Sequence, residues 1–261
     1  MTIANPSPKA TPSDRITRWL LIAIGIYSFL LVSFLNLIIL SSDDVRDRAI
    51  FLMADGMILL WIIVGGSLTP FLRTRLVPRL VAIPIDWRVR FVVLSTIMAL
   101  IEEVITTSMT NCAPLFGTTP EEAHITASTN YFHVVLFHSV VLFVFMFMVW
   151  AWMLSRWDFS PLKVLLLFGI TGSLAEATIN PTSLIGGFLV FVYGLMVYLP
   201  ACTVPQERPA RPLQWWHYPI AVFLPFLGVI PGGLAATLLR KWLGVLIVAT
   251  LIGFSLLFVR Y

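Results

Sequence analysis

Two adjacent glutamates lie near the middle of an otherwise apolar stretch of the chain. The stretch, residues 91–111, is long enough to cross a membrane as a helix, and Glu102 and Glu103 fall near its centre. An ionised carboxylate inside hydrocarbon is costly, so such residues normally face a protein interior or a wet cavity and have polar partners. The sequence therefore predicts that other helices bring polar groups to Glu102 and Glu103.

Three further polar residues stand in later apolar segments and could complete a site. His138 lies within residues 131–154, and Glu176 and Asn180, four residues apart, share a helix face at the end of residues 162–180. At a rise of ~1.5 Å per residue, the two central glutamates, His138 and Glu176 lie roughly 8–14 Å below the same membrane face. This matched depth predicts one shared cluster.

Two other ionisable side chains in the apolar segments are not assigned to that cluster. Asp55 is predicted to have a packing role, because Gly56 follows it directly. His133 precedes His138 by five residues, so the two side chains would point ~140° apart on a continuous helix. They could not bind one ion together, and His133 is predicted to be interfacial.

The residue types in the cluster admit several kinds of chemistry. A carboxylate removed from water can act as a general base near neutral pH. Carboxylate and imidazole ligands also suit a divalent metal, for which His138 and Glu176 are the candidate ligands. Acids and histidines inside a membrane can equally relay protons, or a neutral glutamate can simply hold helices together by hydrogen bonds.

The amino-acid composition sets the class of protein. Hydrophobic residues make up 59% of the 261 residues and charged residues only 11%, against about 25% in soluble domains. We therefore predict an all-α, multi-pass transmembrane helical bundle of about seven or eight spans. The net charge of +4 is spread over loops, so no nucleic-acid partner is expected, and the lipid bilayer is the predicted environment.

The chain divides into a polar tail and one long apolar domain. Residues 1–18 contain three prolines and are predicted to be a flexible cytoplasmic tail, and residues 19–261 form a single transmembrane domain. The predicted spans are 19–40, 49–72, 91–111, 131–154, 162–180 and 184–202. Residues 217–261 are predicted to form either two spans or a short broken helix followed by a long one, because Pro225 and Pro231 interrupt them.

The placement of lysine and arginine predicts the orientation in the membrane. The basic loop of residues 73–90 and the basic linker of residues 203–216 fall on the same side as the N-terminal tail. The acidic loops around Asp43 and Glu121 fall on the other side. Because cytoplasmic loops carry an excess of Lys and Arg, the N-terminus is predicted to be cytoplasmic, in a bacterial inner membrane.

The order and spacing of the polar groups resemble the CPBP family of CAAX-prenyl-protease and bacteriocin-processing intramembrane metalloproteases. That family has Glu-Glu-x-x-x-Arg, then Phe-x-x-x-His, then His-x-x-x-Asn on successive helices. The corresponding residues here are Glu102-Glu103, Val134-x-x-x-His138 and Glu176-x-x-x-Asn180. Thr107, Val134 and Glu176 stand where the family has arginine, phenylalanine and histidine. The resemblance covers only residues 91–181.

The resemblance implies an intramembrane hydrolase. In such an enzyme Glu102 or Glu103 would be the base, His138 a metal ligand or water-positioning group, and Asn180 an oxyanion donor. Its substrate would be a membrane-embedded peptide or lipid. The residues themselves leave two alternatives open: a proton-coupled transporter or ligand carrier, and a non-catalytic scaffold or assembly protein.

Overall fold

The structure is a computed structural model that describes residues 12–258, with side chains placed for residues 13–243. Within these residues the regular structure is helical, and the single β-bridge joins Trp157 to Arg211. The α-helices are α1 (Pro12–Ile39), α2 (Val45–Met57), α3 (Gly66–Arg75), α4 (Val77–Val81), α5 (Trp87–Asn111), α6 (Tyr131–Phe137), α7 (Val140–Arg156), α8 (Pro161–Ala177), α9 (Leu189–Ala201), α10 (His217–Phe223) and α11 (Phe226–Phe258). A π-helix, Ile58–Gly65, joins α2 to α3, and 3-10 turns cover Ala113–Phe116 and Pro181–Gly186.

Several described helices are long and apolar enough to cross a membrane. They are Ser13–Ile39, Val45–Arg75 and His217–Leu243, and α6 with α7 makes a fourth if this pair, bent by 43°, counts as one span. The α8 and α9 helices, at 17 and 13 residues, are shorter than the ~20 residues of a typical span. The all-helical class with membrane-capable helices is thus confirmed, whereas seven or eight spans are not.

The first helix begins before the predicted first span. Its bounds start at Pro12, so residues 12–18 of the predicted tail are helical, and residues 1–11 lie outside the described part of the chain. Asp14 accepts a hydrogen bond from Ser160 Oγ and forms an ion pair with Lys163 Nζ at 3.2 Å. The start of α1 is therefore tied to the start of α8.

We expect Lys163→Met to lower the free energy of unfolding by about 2 kcal/mol, because it removes a charge-assisted contact and leaves Asp14 in a partly buried site. Lys163 is only 6% exposed, and methionine keeps most of its length. Thermal unfolding in detergent measures the change. Lys241→Met, at an exposed position of α11, is the control and should unfold like the wild type. An unchanged melting temperature for Lys163→Met would contradict the assigned ion pair.

The α8 and α9 helices form the most closely packed pair in the described bundle. A side chain at Gly169 would overlap the Val190 carbonyl group, and one at Gly172 would overlap the Tyr193 ring. In the opposite direction, a Cβ at Gly194 would lie 2.7 Å from the Leu165 carbonyl oxygen. Small residues allow such close approach between membrane helices, and Gly169 and Gly172 provide it on one face of α8.

Candidate functional site

The α5 helix turns a polar face into the protein. Asp86 caps its N-terminus by accepting a hydrogen bond from the Arg88 amide at 2.8 Å, and the helix continues unbroken to Asn111. Glu102 and Glu103 are 5% and 6% exposed. The remaining buried residues of this face include Ser95, Ala99, Thr106, Thr107 and Thr110. The helix thus carries two carboxyls and a series of hydroxyls into the bundle.

Groups from three other segments meet these two glutamates. Glu102, Glu103 and Glu176 are close enough to interact electrostatically, and Glu176 comes from the last turn of α8. The Tyr193 hydroxyl of α9 donates a hydrogen bond to Glu176 Oε1. The Ser139 hydroxyl, between α6 and α7, lies within hydrogen-bond reach of Glu103. We call Glu102, Glu103 and Glu176, with Tyr193 and Ser139, the carboxyl cluster.

His138 has different neighbours from those predicted. Its imidazole interacts with His133 and Arg240, and the ring centroids of the two histidines are 4.9 Å apart. The expectation that these two side chains point apart is therefore wrong. It assumed a continuous helix, whereas α6 ends at Phe137 and α7 begins at Val140.

Asn180 lies outside the helix that was predicted to carry it. The α8 helix ends at Ala177, and Pro181 follows Asn180, which restricts that residue to extended backbone. Asn180 is exposed, and its Oδ1 accepts hydrogen bonds from the Thr182 amide at 3.2 Å and the Thr182 hydroxyl at 2.6 Å. Its side chain thus caps the Pro181–Gly186 turn.

Among residues 13–243, no three His, Cys, Asp or Glu side chains form a group that could hold a metal ion. The predicted ligands His138 and Glu176 therefore belong to no such group. A divalent-metal cofactor held by these two residues stays a prediction.

Sequence reasoning missed both hydroxyl groups of the cluster. Tyr193 lies in an apolar helix, and a buried tyrosine hydroxyl normally finds a polar partner, which was an available signal. Ser139 offered no such signal, because its position depends on the break between α6 and α7. A third hydroxyl, of Tyr131, donates to the Leu100 carbonyl at 3.2 Å and lies near Glu103.

The loop between α5 and α6 is fastened to the end of α5. Thr110 Oγ1 accepts hydrogen bonds from the Ile125 amide at 3.2 Å and the Thr126 hydroxyl at 3.0 Å. Asn111 Nδ2 donates to the Thr129 carbonyl oxygen at 3.0 Å. The loop therefore closes over the end of the helix that carries Glu102 and Glu103.

The turn around Glu122 should respond to acid. Hydrogen bonds from the Thr118 hydroxyl and the Thr119 amide lower the pKa of Glu122. A carboxyl with a lowered pKa stabilises its turn above its ordinary pKa, and the effect is lost as the pH falls through the lowered value. We expect hydrogen exchange at the Thr119 amide to accelerate over that acidic range, beyond its intrinsic pH dependence. Glu122→Gln should remove the transition, whereas Glu121→Gln should leave it in place.

Comparison of the chain with known protein families, characterised proteins and solved structures gives no match. The resemblance to the CPBP family stays a prediction that depends on the three motifs alone.

Proposed function

We propose that this chain is a proton-coupled membrane transporter or ligand carrier whose carboxyl cluster binds the coupling protons. The Lys and Arg asymmetry favours a cytoplasmic N-terminus in a bacterial inner membrane. A bundle of more than four spans requires that α5, and α8 with α9, also lie within the bilayer. The solute would cross between α5, α7 and the α8–α9 pair.

One observation carries this proposal: three carboxyls from α5 and α8 meet with hydroxyl groups as neighbours. Among the described side chains no Lys, Arg or His forms an ion pair with Glu102, Glu103 or Glu176. Like charges at short range in a medium of low dielectric constant disfavour full ionisation. In this proposal the adjacent carboxyls and the Tyr193 hydroxyl share a coupling proton.

The polar face of α5 supports a route for protons to and from the cluster. Ser95, Glu103 and Thr107 follow one another at intervals of four or eight residues, so they share this face. The Ser95 and Thr107 hydroxyls are buried and have no hydrogen-bond partner among the described groups. Buried polar groups of this kind commonly hold ordered water, which can carry protons. Glu176 extends the route towards the exposed residues 178–182.

The intramembrane hydrolase is the second candidate. The observation that favours it is the meeting of Glu176 with Glu102 and Glu103, since these residues stand at the third and first motifs of the resemblance. A membrane-embedded peptide or lipid would then be the substrate. His138 and Asn180 would have to move to join the carboxyls, which is why we place transport first.

Electrometry on a solid-supported membrane tests the proposal with reconstituted protein. A jump from neutral to acidic pH should drive protons into the cluster and give a transient charge displacement. Glu176→Gln should lose most of this signal, because its amide keeps the shape and can accept the Tyr193 hydrogen bond but cannot bind a proton. Glu121→Gln, in the exposed loop, is the control and should match the wild type. Equal signals from wild type and Glu176→Gln would refute the proposal.

A further inference from the structure

A cavity of about 450 Å³ lies between α1, the α2–π-helix segment and the start of α9. Its walls are mostly apolar, and they include Phe29, Val32, Ile58, Ile62 and Phe191. Small-molecule sites are usually concave, apolar spaces of about 300–1,000 Å³ with a few polar groups that orient the ligand. This cavity has both properties, and it contains no residue of the carboxyl cluster.

The polar end of the cavity is formed by Asp55 and Asn36. Their side chains interact, and both line the cavity. Asn36 Oδ1 is buried without a hydrogen-bond partner among the described groups, and Asp55 forms no ion pair with any described side chain. An acid inside a membrane helix normally faces a partner or a cavity, so this end is built to receive a donor.

A second polar group lies further along the same wall. Ser28 is 6% exposed, lines the cavity, and its Oγ has no hydrogen-bond partner among the described groups. It precedes Asn36 by eight residues on α1, which places the two side chains on adjoining parts of one face about 12 Å apart. The cavity is thus elongated, with an acidic end and a long apolar body.

The π-helix shapes the facing wall. π-Helical segments are rare and often occur at functional sites, and here Ile58–Gly65 places Ile58 and Ile62 against the cavity. Trp61, on the same segment, donates its indole N–H to the Val192 carbonyl at 2.9 Å. This buried hydrogen bond fixes the π-helix to α9, and it therefore holds the side of the cavity that Ile58 and Ile62 form.

We propose that this cavity binds a single-chain amphiphile with a primary-amine head group. The ammonium group would lie between Asp55 and Asn36, and the alkyl chain would run along α1 past Ser28. An ammonium has three donors and no acceptor, which matches a carboxylate and an unpartnered amide oxygen. An anionic head group would instead be repelled by the Asp55 charge, and an uncharged amphiphile would leave Asn36 as the partner of that carboxyl, with no cation to balance its charge.

Photolabelling tests the site, with the full chain in phosphatidylcholine nanodiscs and a dodecylamine that carries a diazirine near the end of its chain. Labelled peptides should map to α1 and to the α2–π-helix segment, and unlabelled dodecylamine should compete. Asp55→Asn should reduce labelling about tenfold, because it removes a charge-assisted hydrogen bond and keeps the side-chain shape. Asp47→Asn, at an exposed position of α2, is the matched control and should label like the wild type.

Two further measurements separate recognition of the amine head group from binding of the alkyl chain alone. Dodecanol and dodecanoate should compete much less than dodecylamine, and Val32→Trp, which fills the cavity, should also abolish labelling. If dodecanol competes as well as the amine, or if Asp55→Asn labels as strongly as the wild type, the site holds ordinary lipid chains and the proposal is wrong. Unchanged melting temperatures of the variants without amine would show that the loss is local.

Discussion

Gly169→Leu is expected to disrupt the packing of α8 on α9 and to lower the free energy of unfolding by about 3 kcal/mol. Any side chain at this position would overlap the backbone carbonyl of Val190, which cannot move without displacing the whole of α9. Thermal unfolding in detergent and limited proteolysis of the reconstituted protein measure the effect. This should be the largest change in stability from a single glycine in the described bundle.

Gly233→Leu is the matched control for this substitution. A Cβ at Gly233 would meet no atom within 4 Å, and the residue lies inside α11. Because leucine favours helix over glycine, this variant should unfold at or slightly above the wild-type temperature. If Gly169→Leu and Gly233→Leu unfold alike, the close approach of α8 and α9 is not present in the protein.

Substitutions of Glu103 should separate the three function classes. In a proton-coupled transporter, Glu103→Gln should fold normally and lose the pH-driven charge displacement, because the amide cannot bind the proton. A hydrolase would lose hydrolysis in the same variant. In a scaffold, Glu103→Gln should be nearly silent, since glutamine and a protonated glutamic acid both donate hydrogen bonds.

Glu103→Leu should behave differently from Glu103→Gln whether the protein is a transporter, a hydrolase or a scaffold. It removes the carboxyl partner of the Thr106 and Ser139 hydroxyls, which keep their backbone acceptors on Glu102 and Val134. The loss of such a hydrogen bond costs about 0.5–1.5 kcal/mol. We therefore expect a lowered melting temperature for leucine but not for glutamine. Normal charge displacement in Glu103→Gln, with only the leucine variant impaired, would leave Glu103 with a purely structural role.

The sequence was most informative about charged side chains, because their burial requires a polar partner. Glu102 and Glu103 could not face lipid without large cost, and Glu176 was the only other glutamate at a similar depth in an apolar segment. The meeting of these three carboxyls could therefore be predicted. So could the contact of Gly169 and Gly172 with a neighbouring helix, because small residues on one face permit close approach.

The positions of His138 and Asn180 could not be obtained in the same way. The break at His138 and Ser139 contains neither proline nor glycine, so the sequence did not predict that the helix would be interrupted there. Asn180 precedes a proline, which was a usable signal that the helix would end before it. The prediction of seven or eight spans is not confirmed, because α8 and α9, at 17 and 13 residues, are shorter than a typical span.

The glycine contacts between α8 and α9 also restrict how the protein can change shape. With Gly169 on the Val190 backbone and Gly194 against Leu165, neither helix can slide or rotate past the other, so the pair should move as one rigid body. The bend between α6 and α7 is then the natural hinge, and Ser139 at this hinge lies beside Glu103. Binding or release of a proton at Glu103 would thus change the angle between α6 and α7. The α7 helix would then rotate relative to the α8–α9 pair, which stays fixed.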